Sequence, residues 1–298
     1  SGQVPKRAVE NGMIDRFGSI DPSEGGNTER YNANLTLTHR FANRTNWENQ
    51  LFYSRYIFNL YSNFTFFLNY SVNGDEIQQA ENRNIFGYSS KVNQKYFFGN
   101  TTLNSSYGTG LRYDATHGSR LSNVVNRQLL NDIQFGDIKE ANVYAFTRQQ
   151  LNVGKWLFDA GVRLDYFNFN YFDRLSIQQN PSQGEAIISP KLNIQYTVNS
   201  KVQFYIKTGK GFHSNDARVV TVNNGKQVLP AAYGTDIGII LKPTENLYFN
   251  IAAWYLHLNQ EFVYVGDAGI VEPSGKTKRQ GLDITARYQA NKYLYANV

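Results

Sequence analysis

Every second residue from Trp156 to Tyr166 is apolar: Trp156, Phe158, Ala160, Val162, Leu164 and Tyr166. Asp159, Gly161, Arg163 and Asp165 fall between them. A β-strand points successive side chains to opposite faces, so this stretch, continued to Tyr171, has one greasy face and one charged face. The same period recurs along the chain. Tyr31, Ala33, Leu35, Leu37, His39 and Phe41 alternate with polar residues, as do Leu282, Ile284, Ala286 and Tyr288. The pattern predicts about twelve strands, over 30–41, 47–61, 77–90, 96–113, 138–151, 156–171, 187–197, 202–211, 231–241, 247–258, 279–289 and one starting at 293. The fold class is all-β, a meander of antiparallel hairpins.

The connections sort into two kinds. Short ones are expected at 42–46, 91–95, 152–155, 198–201, 242–246 and 290–292. Long ones are expected at 63–76, 114–137, 172–185, 213–229 and 259–278, with room for a helical turn at 121–130. The two kinds alternate, so one rim of the sheet carries tight turns and the other large loops. Outer-membrane barrels show this asymmetry, with short periplasmic turns and long extracellular loops. Sandwiches mix loop lengths at both ends. Several strands also reach the ~9–11 residues that a tilted strand needs to cross a bilayer. A transmembrane β-barrel therefore fits better than a soluble sandwich, in which the apolar face would meet a second sheet.

Composition is compatible with either. The 298 residues are 41% hydrophobic, with a mean hydropathy of −0.50. No apolar run approaches the ~18 residues of a transmembrane helix. The 21 Tyr and 20 Phe against one Met favour surfaces with one apolar and one wet side. The net charge of +6 is scattered rather than gathered in a basic block, which argues against a nucleic-acid partner. The absence of cysteine excludes disulfides and thiolate metal sites. Residues 1–29 read as loop and 293–298 as a strand cut short, so a fragment of a longer protein is expected.

The candidate chemistry is binding rather than catalysis. His39, His117, His213 and His257 lack metal-ligand spacing, so no metal or cofactor is expected. Asp159, Arg163 and Asp165 share one strand face and read as ion pairs lining a water-filled lumen, not as an acid/base set. The Gly-rich 207–211 run lacks the helix and Ser/Thr that a phosphate loop needs.

Four segments resemble the TonB-dependent outer-membrane receptors, especially those of Bacteroidetes-type bacteria. They are Leu60–Leu68 (LYSNFTFFL), Ile188–Asn193 (ISPKLN), Gly209–Asp216 (GKGFHSND) and Glu261–Gly275 (EFVYVGDAGIVEPSG). A strand ending in Lys242-Pro243 follows the third, as in the late barrel of that family. The resemblance implies that residues 1–298 are part of a larger barrel, of about 22 strands, whose plug domain, earliest strands and closing strands lie outside this chain. It implies an outer-membrane location and contact with outer-membrane lipid. It also implies coupling to the TonB complex through the plug segment. The expected function is import of a scarce solute such as an iron chelate, cobalamin or glycan, without covalent chemistry. Phe64, Phe66, Phe67, His213, Asn215, Asp216, Arg218, Tyr264 and Asp267 are the candidates to touch a small-molecule or glycan ligand. The rival readings are a passive outer-membrane channel and a soluble β-rich carbohydrate-binding module or enzyme.

Overall fold

A computed structural model describes residues 4–19, 21–222, 228–265 and 270–298. Its first nine strands are β1 (Gly25–Arg40), β2 (Thr45–Ser62), β3 (Ile77–Phe98), β4 (Thr101–Val125), β5 (Gln128–Val153), β6 (Trp156–Asp173), β7 (Gln183–Asn199), β8 (Val202–Phe212) and β9 (Ala231–Thr244). After β10 (Leu247–Leu258), a small hairpin of β11 (Glu261–Val265) and β12 (Ile270–Ser274) interrupts the order before β13 (Thr277–Gln289) and β14 (Tyr295–Asn297). The helices α1 (Lys6–Glu10) and α2 (Ala217–Val222) are short. Twelve strands form one antiparallel sheet in the order β1 to β10, β13, β14, and β11 pairs only with β12. Within the described residues β1 and β14 are not joined, so the sheet is open.

The alternating rims appear as expected, with two corrections. The 114–137 stretch is not a long loop and holds no helical turn; it is the upper part of a continuous β4–β5 hairpin. Asn126 and Arg127 form its tip, both at positive φ (48° and 66°), as a two-residue primed turn requires. Polar pairs hold its arms together: the Ser122 hydroxyl donates to Asp132 at 2.6 Å, and Arg120 pairs with the same carboxylate at 3.2 Å. A hairpin arm with water on both faces has no reason to alternate. At about 3.3 Å per residue, the 26 residues of β5 make it far longer than an ordinary strand. Likewise 91–95 is not a turn. Lys91 to Lys95 continue β3, and the chain reverses at Gly99 and Asn100, with Gly99 at φ 56°.

Three smaller differences concern the ends of loops. β1 starts at Gly25, inside the expected 1–29 loop, and the 213–229 connection contains α2. The 259–278 connection contains the β11–β12 hairpin. The tip of the β4–β5 hairpin is braced: Arg127 donates to the Ser23 carbonyl at 2.6 Å and to that of Glu24 at 3.3 Å.

The two faces of the sheet differ as the period demands. Leu35, Val162, Ile188 and Leu282 point outward and are 41–62% exposed, and among the described residues no second sheet covers them. The inner face is polar, and its aromatics follow a rule invisible in the hydropathy pattern. Phe52, Tyr144, Phe146, Tyr205 and Trp254 each stand opposite a glycine of the next strand: Gly87, Gly110, Gly108, Gly238 and Gly281. A Cβ built on any of these glycines would overlap the facing ring. The missing side chain lets the ring lie flat across the neighbouring strand.

This pairing predicts that Gly110→Val weakens the folded sheet. Forcing Tyr144 off its seat should cost about 1–3 kcal/mol, the usual range for overpacking. Gly211→Ala should be tolerated, because nothing lies within 4 Å of a Cβ there. Thermal unfolding of the refolded full-length protein in detergent tests this; equal midpoints for the two variants would refute the pairing.

Candidate functional site

The inner faces of β3 to β6 carry a ladder of charge. Arg83 donates through Nε to Asp114 at 2.8 Å and also through Nη2, and Arg112 reaches the same carboxylate at 3.2 Å. Arg163 grips Asp165 with bonds of 2.7 and 2.8 Å. Arg148 grips Asp159 with bonds of 2.7 and 2.8 Å. The three aspartates are buried and the arginines stay partly in water. Asn142 adds a bond to Asp165 and Asn193 one to Asp159, each 3.2 Å. The Arg163 guanidinium also lies over the Tyr144 ring, 3.7 Å from its centroid. The expected lumen-lining role of Asp159, Arg163 and Asp165 therefore takes the form of two-bond ion pairs, the geometry in which Arg–carboxylate contacts are strong.

A cavity of about 510 Å³ sits on this ladder, with Phe52, Arg83, Arg112, Glu140, Arg163 and Phe167 in its wall. Ser214 contributes to it from the connection between β8 and β9. That connection does not stand away from the sheet. The hairpin continues past the ladder, His213 donating to the Pro230 carbonyl at 3.4 Å and Asn215 to that of Val228 at 3.0 Å. It then turns inward and lays α2 against β5 and β6. Ala217, Val220, Val228 and Leu229 bury themselves against Phe169 and Ile187. Phe167 meets Phe212 edge to face at 5.7 Å.

The seat is built into β6. Its inner phase runs Asp159, Gly161, Arg163, Asp165 and then changes to Phe167, Phe169, Tyr171. Phe169 is wholly buried and Tyr171 nearly so. These residues were not among the expected site residues. The signal was present: three aromatics occupy the positions that carry charge lower on the same strand.

Four expected site residues meet on the inward connection. Asn215 is buried and donates to Gln260 at 3.4 Å. Arg218 binds Asp216 through Nε (2.8 Å) and Nη2 (2.6 Å), and reaches across to Gln134 of β5 at 3.0 Å. Burial pushes the Asp216 carboxyl up, but the hydrogen bonds and charge of Arg218 outweigh it and hold the group below its usual range. Burial alone lowers the His213 imidazole, which keeps it neutral at neutral pH. Phe64, Phe66 and Phe67 belong to a different connection, between β2 and β3. Phe64 and Phe67 are exposed, and Phe66 adopts φ 58°. The Asp75 carboxylate shapes that loop by accepting the backbone N–H groups of Asn69 (3.0 Å) and Tyr70 (2.8 Å). Tyr264 pairs with Val271 in the β11–β12 hairpin, and Asp267 lies outside the described residues. Within the described residues, no three His, Asp or Glu side chains converge as a metal site.

Comparison with known proteins agrees with this architecture. The family described as "TonB dependent receptor-like, beta-barrel" matches residues 6–298. No curated protein matches the sequence. Among solved structures, the chain is similar to the unliganded ferric citrate transporter FecA (TM-score 0.75, 16% identity), covering 96% of this chain and 42% of that one. It is also similar to the ferric-catecholate import receptor Fiu from E. coli K12 (TM-score 0.69, 12% identity, 93% and 48%). A third is the pyoverdine-bound FpvA of P. aeruginosa (TM-score 0.66, 15% identity, 89% and 38%). The chain thus spans less than half of each of these proteins, and at such identities they establish the fold alone.

The Asp216–Arg218 pair predicts an acid-sensitive loop. Because the folded pKa of Asp216 lies below its unfolded value, the stabilisation is complete above about pH 4 and is lost as pH falls through the folded pKa. Hydrogen exchange of 213–222 should show protection that is steady down to about pH 4 and falls below it. Asp216→Asn should lower protection at neutral pH and flatten the acid step. An unchanged step in that variant would assign the acid response to another group.

Proposed function

The chain belongs to the TonB-dependent receptor β-barrel family, and from that membership we propose that it forms part of an outer-membrane importer for a scarce solute. The family consists of receptors and transporters of the outer membrane. The family match across residues 6–298 carries the proposal. In the full-length protein the open sheet would continue into a closed barrel of about 22 strands around a plug domain. The plug segment would take its energy from the TonB complex.

The sheet supports this reading in three ways. Its outward residues are apolar and uncovered, which suits lipid. Its inner face carries paired charges, which suits a wet lumen. Its loop rim bears the long connections, which suits a rim outside the cell, with the tight turns, including the one before Trp156, at the periplasm. Phe64, Phe66, Phe67, Tyr264 and Asp267 would meet the solute at the mouth, and His213, Asn215, Asp216 and Arg218 would position the inward connection beneath it. The solute is an iron chelate, cobalamin or a glycan. Every arginine in the 510 Å³ cavity already has a carboxylate partner, so recognition there rests on hydrogen bonds and ring contacts more than on net charge.

Deletion of the gene should abolish high-affinity uptake of the solute, and loss of TonB should do the same. Uptake that persists without TonB would point instead to a passive channel. The lipid-facing assignment has its own test. Val162→Arg should deplete folded full-length protein from the outer membrane, since arginine on the lipid face at the midplane costs ~2–4 kcal/mol. Arg163→Lys, on the wet face, should be milder because the ammonium can still pair with Asp165 and Asn142 still donates to it. Heat-modifiable migration of membrane fractions reads both, and equal tolerance would remove the assignment.

A further inference from the structure

The sheet has a notch. The β6–β7 ladder climbs to Phe169 opposite Gln183, and the β8–β9 ladder to Phe212 opposite Ala231. Between them the β7–β8 ladder stops lower, at Lys191 opposite Gly209. The next residue up β7 is Pro190, which has no N–H to offer a neighbour. Above that point the β8–β9 hairpin leaves the wall to carry α2 inward. Within the described residues, β7 from 183 to 190 therefore has no β8 partner, although it remains paired with β6.

A cavity of about 630 Å³ occupies the notch. Ile188 and Tyr233 line it from the outward face, 55% and 44% exposed. Lys210 stands opposite Tyr233 on that same face, and Lys276 joins it from the chain just before β13. Among the described residues Glu185 is the one carboxylate in the lining, so the two lysines leave a net positive charge there. An apolar slot, a tyrosine, two lysines and an open strand edge lie together near the loop rim, where tyrosine and snorkelling lysine sit at a membrane–water boundary.

We propose that this notch binds one anionic lipid of the surrounding leaflet. Its phosphate sits on Lys210 and Lys276, and its acyl chain lies along Ile188 and Tyr233. An unpaired strand edge facing hydrocarbon is unfavourable, and a headgroup that accepts hydrogen bonds from edge N–H groups relieves it. An added peptide strand would also satisfy the edge, but it would leave the lysines without an anion. The inference rests on reading the outward face as lipid-facing.

The full-length protein, refolded and shown to be heat-modifiable, is placed in micelles containing phosphatidylglycerol, phosphatidylcholine or inorganic phosphate, and bound lipid is counted by native mass spectrometry. The expected result is retention of phosphatidylglycerol over phosphatidylcholine. Lys210→Gln with Lys276→Gln should lower that retention about tenfold or more, as loss of charge-assisted contacts implies. Lys276→Glu is a second variant that leaves the sheet untouched. Equal retention of both lipids, unchanged retention in the variants, or displacement by inorganic phosphate alone would overturn the proposal. Failure to reach a heat-modifiable state would overturn the barrel reading itself, a separate outcome.

Discussion

A large single-layer β-sheet must satisfy its backbone N–H and C=O groups strand to strand, and everything else in this protein is arranged around that constraint. Each strand from β2 to β10 is bonded on both sides, and the connections between neighbours are as short as the geometry permits on one rim. Once the backbone is fixed this way, the side chains have only two destinations. One face is apolar and exposed; the other is polar and carries ion pairs. The hydrophobic core of a soluble domain is replaced by a small lumenal cluster around Phe169, which holds a connection rather than the sheet.

That division explains what the sequence made legible. Where a strand has one apolar and one polar face, as at 156–166, the period of two is clear and the two sets of residues do fall on opposite faces of the sheet. Where both faces are polar the period vanishes, and the upper arms of β4 and β5 read as loop. The polar run at 91–95 misled for a related reason: its side chains pair across the sheet, as Asn93 does with Ser106 at 2.7 Å, without any apolar face to mark a strand.

The site was half legible. Residues 209–216 stood out as a motif and Arg218 as a candidate beside it, and their order in the chain said nothing of the inward turn that brings Arg218 to Gln134, 84 residues away. The seat for that turn was written in Phe167, Phe169 and Tyr171, on the phase that a reading centred on the lipid face sets aside. The glycines opposite aromatic rings were legible only with the register in hand, since Gly110 and Tyr144 are far apart in the chain.

Those glycines have a consequence for thickness. A ring lying flat adds about 3.5–4 Å to the wall, the thickness of one carbon layer, whereas a ring standing upright reaches much further. With Phe52, Tyr144, Phe146, Tyr205 and Trp254 laid down across their partners, the inner surface can be rich in aromatic area and still stay thin. The thickness of this face is thus set by the residues that have no side chain.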